Sequence, residues 1–444
     1  MAYFVFHHNP KKLPEYNETC HPVQLYNRHS WSSSKSSIIA RKAIETIRDL
    51  GCKIDNKAFD FLTIAMAVTA ADSFCDREKL SHNSWARDFV LEIPLADPEL
   101  WTPAKQNLEK ALGYLTGDQW SLIFTEGGLK APIPKTTRKA KLRRKTFQGL
   151  DSVCLFSGGL DSAVGAIDLI NNGNSYHPLL ISHAYKGDAS KQNKVENVLS
   201  GTYSRLSFNA DPHIIDELSG KTDITMRGRS FNFLAMAIIG SSVVNKLNGD
   251  NIRNIFIPEN GYISLNPPLT SRRIGSLSTR TTHPYFLSMM QEIFDITGFN
   301  VILKNPYQYK TKGEMLKECI DSKALEKAIP NTVSCSNWHR KDIQCGRCVP
   351  CAIRRASILA AGFSNDAQYD HQDLSDISGQ LRKKDDLLAL SAAYIQLEKG
   401  ANKHAWVRKS GPLPKEQEIR NQLVGVFDRG LKEVGVFLKS ELVL

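Results

Sequence analysis

Val153-Cys154-Leu155-Phe156-Ser157-Gly158-Gly159-Leu160-Asp161-Ser162-Ala163-Val164 sets an apolar strand, a glycine turn and the start of a helix end to end. The glycines let the backbone come close to an anion, and the amides at the helix start point towards it. The hydroxyls of Ser157 and Ser162 add donors. Asp161 would repel bare phosphate, so it either holds a Mg²⁺ that bridges phosphates or caps the helix. A Walker loop would need Lys-Ser or Lys-Thr after its last glycine, and the dinucleotide fingerprint has a different glycine spacing. The segment therefore reads as a phosphate loop of another kind, made of Phe156, Ser157, Gly158, Gly159, Leu160, Asp161 and Ser162.

Around this loop, residues 153–363 alternate strands (179–182, 213–215, 254–258, 300–304) with helices (231–247, 285–296). Such alternation predicts a doubly wound parallel α/β sheet. Upstream, strand-like pieces at 3–7, 89–93 and 120–125 mix with helical ones at 36–50, 57–74 and 103–115, which predicts an N-terminal α+β module. Downstream, helices at 385–398, 416–426 and 430–438 predict a helical tail. The expected domains are 1–147, 148–366 and 367–444. The Ser-rich piece 30–37 is read as capping the helix after it.

The chain has 444 residues, 41% of them hydrophobic, enough for a large core. Asp60 and Asp72 interrupt the apolar stretch 59–71, so no membrane span is expected, and the first residues lack the pattern of a secretion signal. The expected location is the cytoplasm. The net charge of +11 suits a polyanionic partner without choosing between nucleotide phosphates, RNA and a merely soluble surface. Lys135, Arg138, Lys139, Lys141, Arg143, Arg144 and Lys145 crowd one Pro-flanked stretch, either a solvated linker or a contact for nucleic acid. Few aromatics interleave with them, which weakens single-strand stacking.

Four of the nine cysteines, Cys335, Cys345, Cys348 and Cys351, are spaced C-x9-C-x2-C-x2-C. Four soft ligands at this spacing suit a closed tetrahedral Zn²⁺ of structural role, with an iron–sulfur cluster or uncoordinated thiols as alternatives.

A phosphate loop at the start of the domain, this cysteine cluster near its end and the helical 352–356 after it together resemble the PP-loop family of 7-cyano-7-deazaguanine synthases (QueC-like). Arg227-Gly228-Arg229 at the head of an apolar helix and Thr311-Lys312-Gly313-Glu314 at another fit the same family. The resemblance covers roughly residues 150–363 and implies a PP-loop/HUP-type sheet and an ATP pyrophosphatase. ATP with Mg²⁺ would adenylate a 7-deazaguanine-type carboxylate, and a nitrogen nucleophile would displace AMP. It also implies that Arg227, Arg229 and Lys312 neutralise charge as pyrophosphate leaves; each could equally be an ion-paired surface base.

The sequence departs from the synthases over 258–268 and 278–284, which points to a changed substrate or acceptor. Strand ends on this side of an open sheet bind ligands, so Glu259, Asn260, Arg280 and His283 are candidates for contacting the carboxylate or the amine, with a packed ligand-free loop as the alternative. With its added terminal modules the chain is similar to the QueC-like subunits of bacterial anti-phage defence operons, particularly that of the Qat system, which implies partner proteins from such an operon. A nitrile-forming synthase, a nucleotide-sensing scaffold without turnover and a tRNA-modifying enzyme are the competing readings.

Overall fold

The computed structural model describes residues 1–27, 36–77, 86–147, 149–171, 176–184, 188–214, 227–248, 252–269, 280–335, 343–374 and 381–441. Strands β1 (Ala2–His7), β2 (Cys20–Leu25), β3 (Ser37–Ile39), β4 (Asp88–Pro94) and β5 (Gln119–Thr125) form a first sheet in the order β3-β2-β1-β4-β5. Every pairing in it is parallel, so the N-terminal module is α/β and not the α+β arrangement expected. The expectation failed because β1, β4 and β5 alternate buried with more exposed positions, a pattern shared with half-solvated antiparallel strands. Helices α1 (Ala43–Asp49), α2 (Asn56–Phe74), α3 (Pro98–Trp101) and α4 (Lys105–Thr116) supply crossovers. The stretch 36–50, expected as one helix, divides into β3 and α1, because Ser37, Ile38 and Ile39 pair with β2. Most of the Ser-rich piece lies outside the described residues. In the basic stretch, α5 (Arg138–Arg143) forms a short helix with Lys139 and Lys141 exposed.

The second sheet follows through β6 (Ser152–Leu155), α6 (Leu160–Asn171), β7 (Pro178–His183), α7 (Asp188–Glu196), β8 (Ser204–Phe208), α8 (Arg229–Asn248), β9 (Arg253–Phe256), α9 (Gly261–Leu265), α10 (Pro284–Ile296) and β10 (Val301–Lys304). Its order is β10-β9-β6-β7-β8, again with parallel pairing throughout. The expected doubly wound sheet is present: Val153, Leu179 and Ile181 face the cluster containing α8, while Cys154 and Leu180 face that of α6. The strand expected at 213–215 is not the third strand. That place belongs to β8, and His213 only bridges to Ile38 at 2.8 Å in both directions, residue 215 lying outside the described set.

The two sheets share one core. Helix α2 is buried on nearly every side because it lies between β4 and α8, and Phe61 meets Phe231 and Phe294 edge to face at 5.3 and 5.4 Å. Helix α8 is long and apolar enough to cross a membrane by length and composition, but it is clamped between α2 and strands β6, β7 and β9.

Beyond β10 come α11 (Lys312–Lys317), α12 (Ser322–Ala328) and α13 (Val349–Ala361), then the tail helices α14 (Leu381–Glu398), α15 (Lys403–Arg408) and α16 (Gln417–Ser440). The two last helices expected in the tail are the single helix α16, since Gly430 continues the helix where Tyr262 packs against it. Helix α16 also packs on α13 and reaches α11.

Candidate functional site

In the second sheet the chain runs outward from β6 to β8 on one side, then returns through α8 to β9 and β10 on the other. The order of winding reverses between β6 and β9, the place where open parallel sheets leave a crevice at their carboxyl ends. The loop after β6 is the segment that the sequence reads as a phosphate loop, and the loop after β9 carries Glu259 and Asn260.

Phe156 and Leu160 are fully buried and anchor the two ends of the phosphate loop, leaving Ser157 exposed between them. Gly158 sits at φ +78°, and a Cβ there would lie 2.8 Å from the Gln192 side chain, so only glycine suits the turn. Ser157 Oγ lies 3.2 Å from Ser162 Oγ, which donates to the Gly159 carbonyl at 2.9 Å. Residues that sequence reasoning missed hold this loop from behind. Buried Gln192 donates to the carbonyls of Ser157 (3.3 Å) and His183 (3.1 Å), and Ser182 donates to the Phe156 carbonyl at 2.8 Å. Arg205 binds both Gln192 (2.7 Å) and Ser182 (3.0 Å). Nothing in the local pattern of β7, α7 or β8 marks these residues, because their role exists only once the three elements meet the loop after β6.

Asp161, Glu259, Asn260 and Lys312, four of the residues singled out from sequence, converge. Lys312 Nζ lies 2.7 Å from Asp161 Oδ1, and Asn260 donates to Asp161 Oδ2 through Nδ2 at 2.8 Å and through its backbone at 3.3 Å. Asn260 also caps α9 by accepting from Ile263 N at 3.0 Å, which fixes its orientation. Burial pushes the Asp161 carboxyl up, but the Lys312 charge and hydrogen bonds from Glu259, Lys312 and Asn260 outweigh it and hold the group at about 2. Glu259 goes the other way: burial, then the charge of Asp161, then their shared hydrogen bond hold its carboxyl protonated well above the usual range. The result is one carboxylate and one carboxylic acid side by side, facing one ammonium.

Arg229 donates to the His183 carbonyl at 3.3 Å, the carbonyl that Gln192 also binds, so it stands beside the phosphate loop. Arg227 faces elsewhere. It donates to the Thr116 carbonyl of the first unit at 3.0 Å, and burial together with the Arg77 charge lowers its guanidinium to about 10. Arg280 stacks over Tyr114 at 4.7 Å and donates to its carbonyl at 3.0 Å. His283 caps α10 at the Tyr285 amide (3.1 Å) and lies 3.0 Å from Ser410 Oγ. These last two join the first unit, α10 and the tail, and do not converge on Asp161.

Cys335, Cys345, Cys348 and Cys351 are buried with their sulfurs all within 4.8 Å of one another. The Cys345–Cys351 and Cys348–Cys335 separations are both 3.9 Å. A tetrahedron with Zn–S bonds of about 2.3 Å has edges of about 3.8 Å, so the donor set fits Zn²⁺. Amides of Cys345 and Cys348 point at neighbouring sulfurs at 3.3 and 3.4 Å, as thiolates require. The cluster touches the phosphate loop: Val333, two residues before Cys335, donates to the Gly158 carbonyl at 3.4 Å. Buried Arg354 fixes the same strip through Thr332 Oγ1 (2.7 Å) and Asp366 (2.8 Å).

The chain matches no protein-family model. Over 242 residues, 49% of this chain and 91% of the relative, it is 25% identical to a 7-cyano-7-deazaguanine synthase of Picrophilus torridus. Over 240 residues, 49% of this chain and 97% of the relative, it is 23% identical to a 7-cyano-7-deazaguanine synthase of Thiobacillus denitrificans. About half of the chain is thus similar to nearly the whole length of these enzymes.

Proposed function

We propose that the protein is a PP-loop ATP pyrophosphatase that adenylates a 7-deazaguanine-type carboxylate and transfers it to a nitrogen acceptor. The observation that carries this reading is the convergence of Asp161, Glu259, Asn260 and Lys312 directly behind a phosphate loop at the point where the sheet winding reverses. The similarity of half the chain to two 7-cyano-7-deazaguanine synthases supports the substrate class.

In the proposed reaction a substrate carboxylate oxygen forms a bond to the α-phosphorus as the bond to the β-phosphate oxygen breaks. An amine nitrogen then attacks the acyl carbon, the bond to AMP breaks, and the nitrogen gives up a proton. The loop amides and the Ser157 and Ser162 hydroxyls would cradle the phosphates, while Lys312 and Arg229 would offset the negative charge of the leaving pyrophosphate. Asp161 Oδ2 (2.8 Å) and Glu259 Oε1 (3.4 Å) accept from the same Asn260 nitrogen, and two carboxyls held this close suit a divalent cation, so Asp161 and Glu259 would hold Mg²⁺, which would neutralise phosphate charge. The Cys335–Cys351 cluster would hold Zn²⁺ to keep Val333 against Gly158, a structural service. Arg227, given its bond to Thr116, would serve by fixing the start of α8 and with it Arg229.

The acceptor is proposed to be a protein amine supplied by a partner from an anti-phage defence operon, a reading that rests on the terminal modules and on the departure over 258–268. Incubating the protein with ATP, the carboxy-deazaguanine and candidate acceptors, with AMP, pyrophosphate and intact masses as readouts, tests each layer. AMP release abolished by Asp161→Ala and a deazaguanine adduct on a protein support the whole reading. Nitrile release with ammonium alone would make the protein a synthase, and absence of AMP release under every condition would sink the enzyme reading.

A further inference from the structure

The first sheet repeats the strand order of the second: three strands wind outward from β1 through β2 to β3, and β4 and β5 lie on the other side. Its winding therefore also reverses, between β1 and β4, and a crevice is expected at the carboxyl ends of those strands. The residues there are His7 at the end of β1, His8, Asn9 and Lys12 after it, and Gly127 after β5.

His7 is buried at its base, and its Nδ1 accepts the Asn9 amide at 2.9 Å. That bond assigns the proton of the neutral ring to Nε2. Gly127 lies at φ +89°, and the point where a Cβ would stand is 3.9 Å from His7 Nε2 and 3.8 Å from Lys12 Nζ. A side chain at this position would fill a space on which two nitrogen donors converge. The His8 ring lies 4.5 Å from that of His7, and its Nδ1 is buried with no hydrogen-bond partner among the described residues. Among the described residues no carboxylate pairs with Lys12, and none acts on either histidine. Burial first, then the Lys12 charge, with His8 also acting on His7, lowers both imidazoles. The His7 N–H and the ammonium of exposed Lys12 converge on one glycine cradle, and the orphan His8 nitrogen belongs to the ring beside His7, an arrangement that suits a negative partner.

We propose that this crevice is a second ligand site, separate from the phosphate loop, which binds an anionic group of a small molecule through His7, His8 and Lys12. A phosphate monoester and a carboxylate share the chemistry required, and the experiment separates them. The proposal does not rest on the ATP reading of the second sheet.

The test uses the full chain labelled with ¹⁵N at histidine, with the two imidazoles assigned from His7→Gln and His8→Gln variants, and titrated at fixed pH with inorganic phosphate or with acetate. Saturable shifts of the His7 and His8 ring nitrogens, weakened about tenfold in Lys12→Ala, are expected. Saturation by phosphate alone assigns a phosphate ligand, and saturation by acetate assigns a carboxylate. Shifts that rise linearly without saturating with both anions, or a saturable response unchanged in Lys12→Ala, overturn the proposal. Circular dichroism of each variant, matching the parent, separates lost binding from lost folding.

Discussion

Glu433 lies far along the tail, yet it reaches the helix that carries Lys312. From α16 its carboxylate accepts from Thr311 Oγ1 and from the Gly313 amide at 3.2 Å, one residue either side of Lys312. Thr311 also caps α11 in a reciprocal pair with Glu314, and Arg429 of α16 binds Glu314 at 2.5 Å. Glu433→Ala removes one acceptor from two donors. Hydrogen bonds to a charged group contribute about 1.5–3 kcal/mol each, and Glu433 is only half-buried, so the pair is expected to contribute about 2–3 kcal/mol in total. That corresponds to a fall in Tm of about 2–3 °C for a chain of 444 residues. Freed at its N-terminus, α11 is expected to shift Lys312 away from Asp161, and under the proposed role of Lys312 a displacement of about 1 Å costs about a hundredfold in rate. Pyrophosphate release under saturating ATP, set beside a thermal melt, measures both. Glu433→Gln keeps one acceptor and is expected to fall between the parent and the alanine variant. A variant that melts lower as calculated but releases pyrophosphate at the parental rate would refute the idea that α16 positions Lys312.

Lys312→Met removes the cation facing Asp161 and is expected to lower AMP release about 10²–10³-fold, measured by single-turnover quench; an unchanged rate would exclude Lys312 from the chemistry. Cys348→Ser opens the four-sulfur set. Metal analysis should show Zn²⁺ lost from the variant, with a parallel loss of ATP-protected proteolysis near Gly158, and retention of metal would contradict the ligand assignment. Asp60, buried and bound by the amides of Ala96 (2.8 Å) and Asp97 (3.1 Å), is raised by burial to about 6. A raised carboxyl stabilises the fold fully below its unfolded value, and this contribution disappears as pH rises through about 6. About 3 kcal/mol is lost by pH 7. Asp60→Asn, neutral throughout, should flatten denaturant-midpoint stability between about pH 4 and 7, and an unchanged slope would discount Asp60 as its source.

The strand, glycine turn and helix over 152–171, the second parallel sheet and the cysteine cluster were legible in the sequence because each depends on residues close together in the chain. Strand, glycine turn and helix follow one another over 153–164, and Cys345, Cys348 and Cys351 lie within a single turn and the helix it opens. Tertiary structure alone decided what faces that loop. Gln192, Arg205 and Ser182 support it from elements whose local patterns say nothing of anions, and Glu433 reaches Thr311 and Gly313, either side of Lys312, across more than a hundred residues. Arg227 and Arg229 stand two residues apart in sequence, but one bonds Thr116 beside the first sheet and the other His183 at the end of β7. The parallel character of the first sheet was equally hidden, since a strand covered on one face alternates in the same way whichever direction its neighbour runs. Periodicity records which face of a strand is buried; strand direction and long-range partners are set by how the crossovers pack.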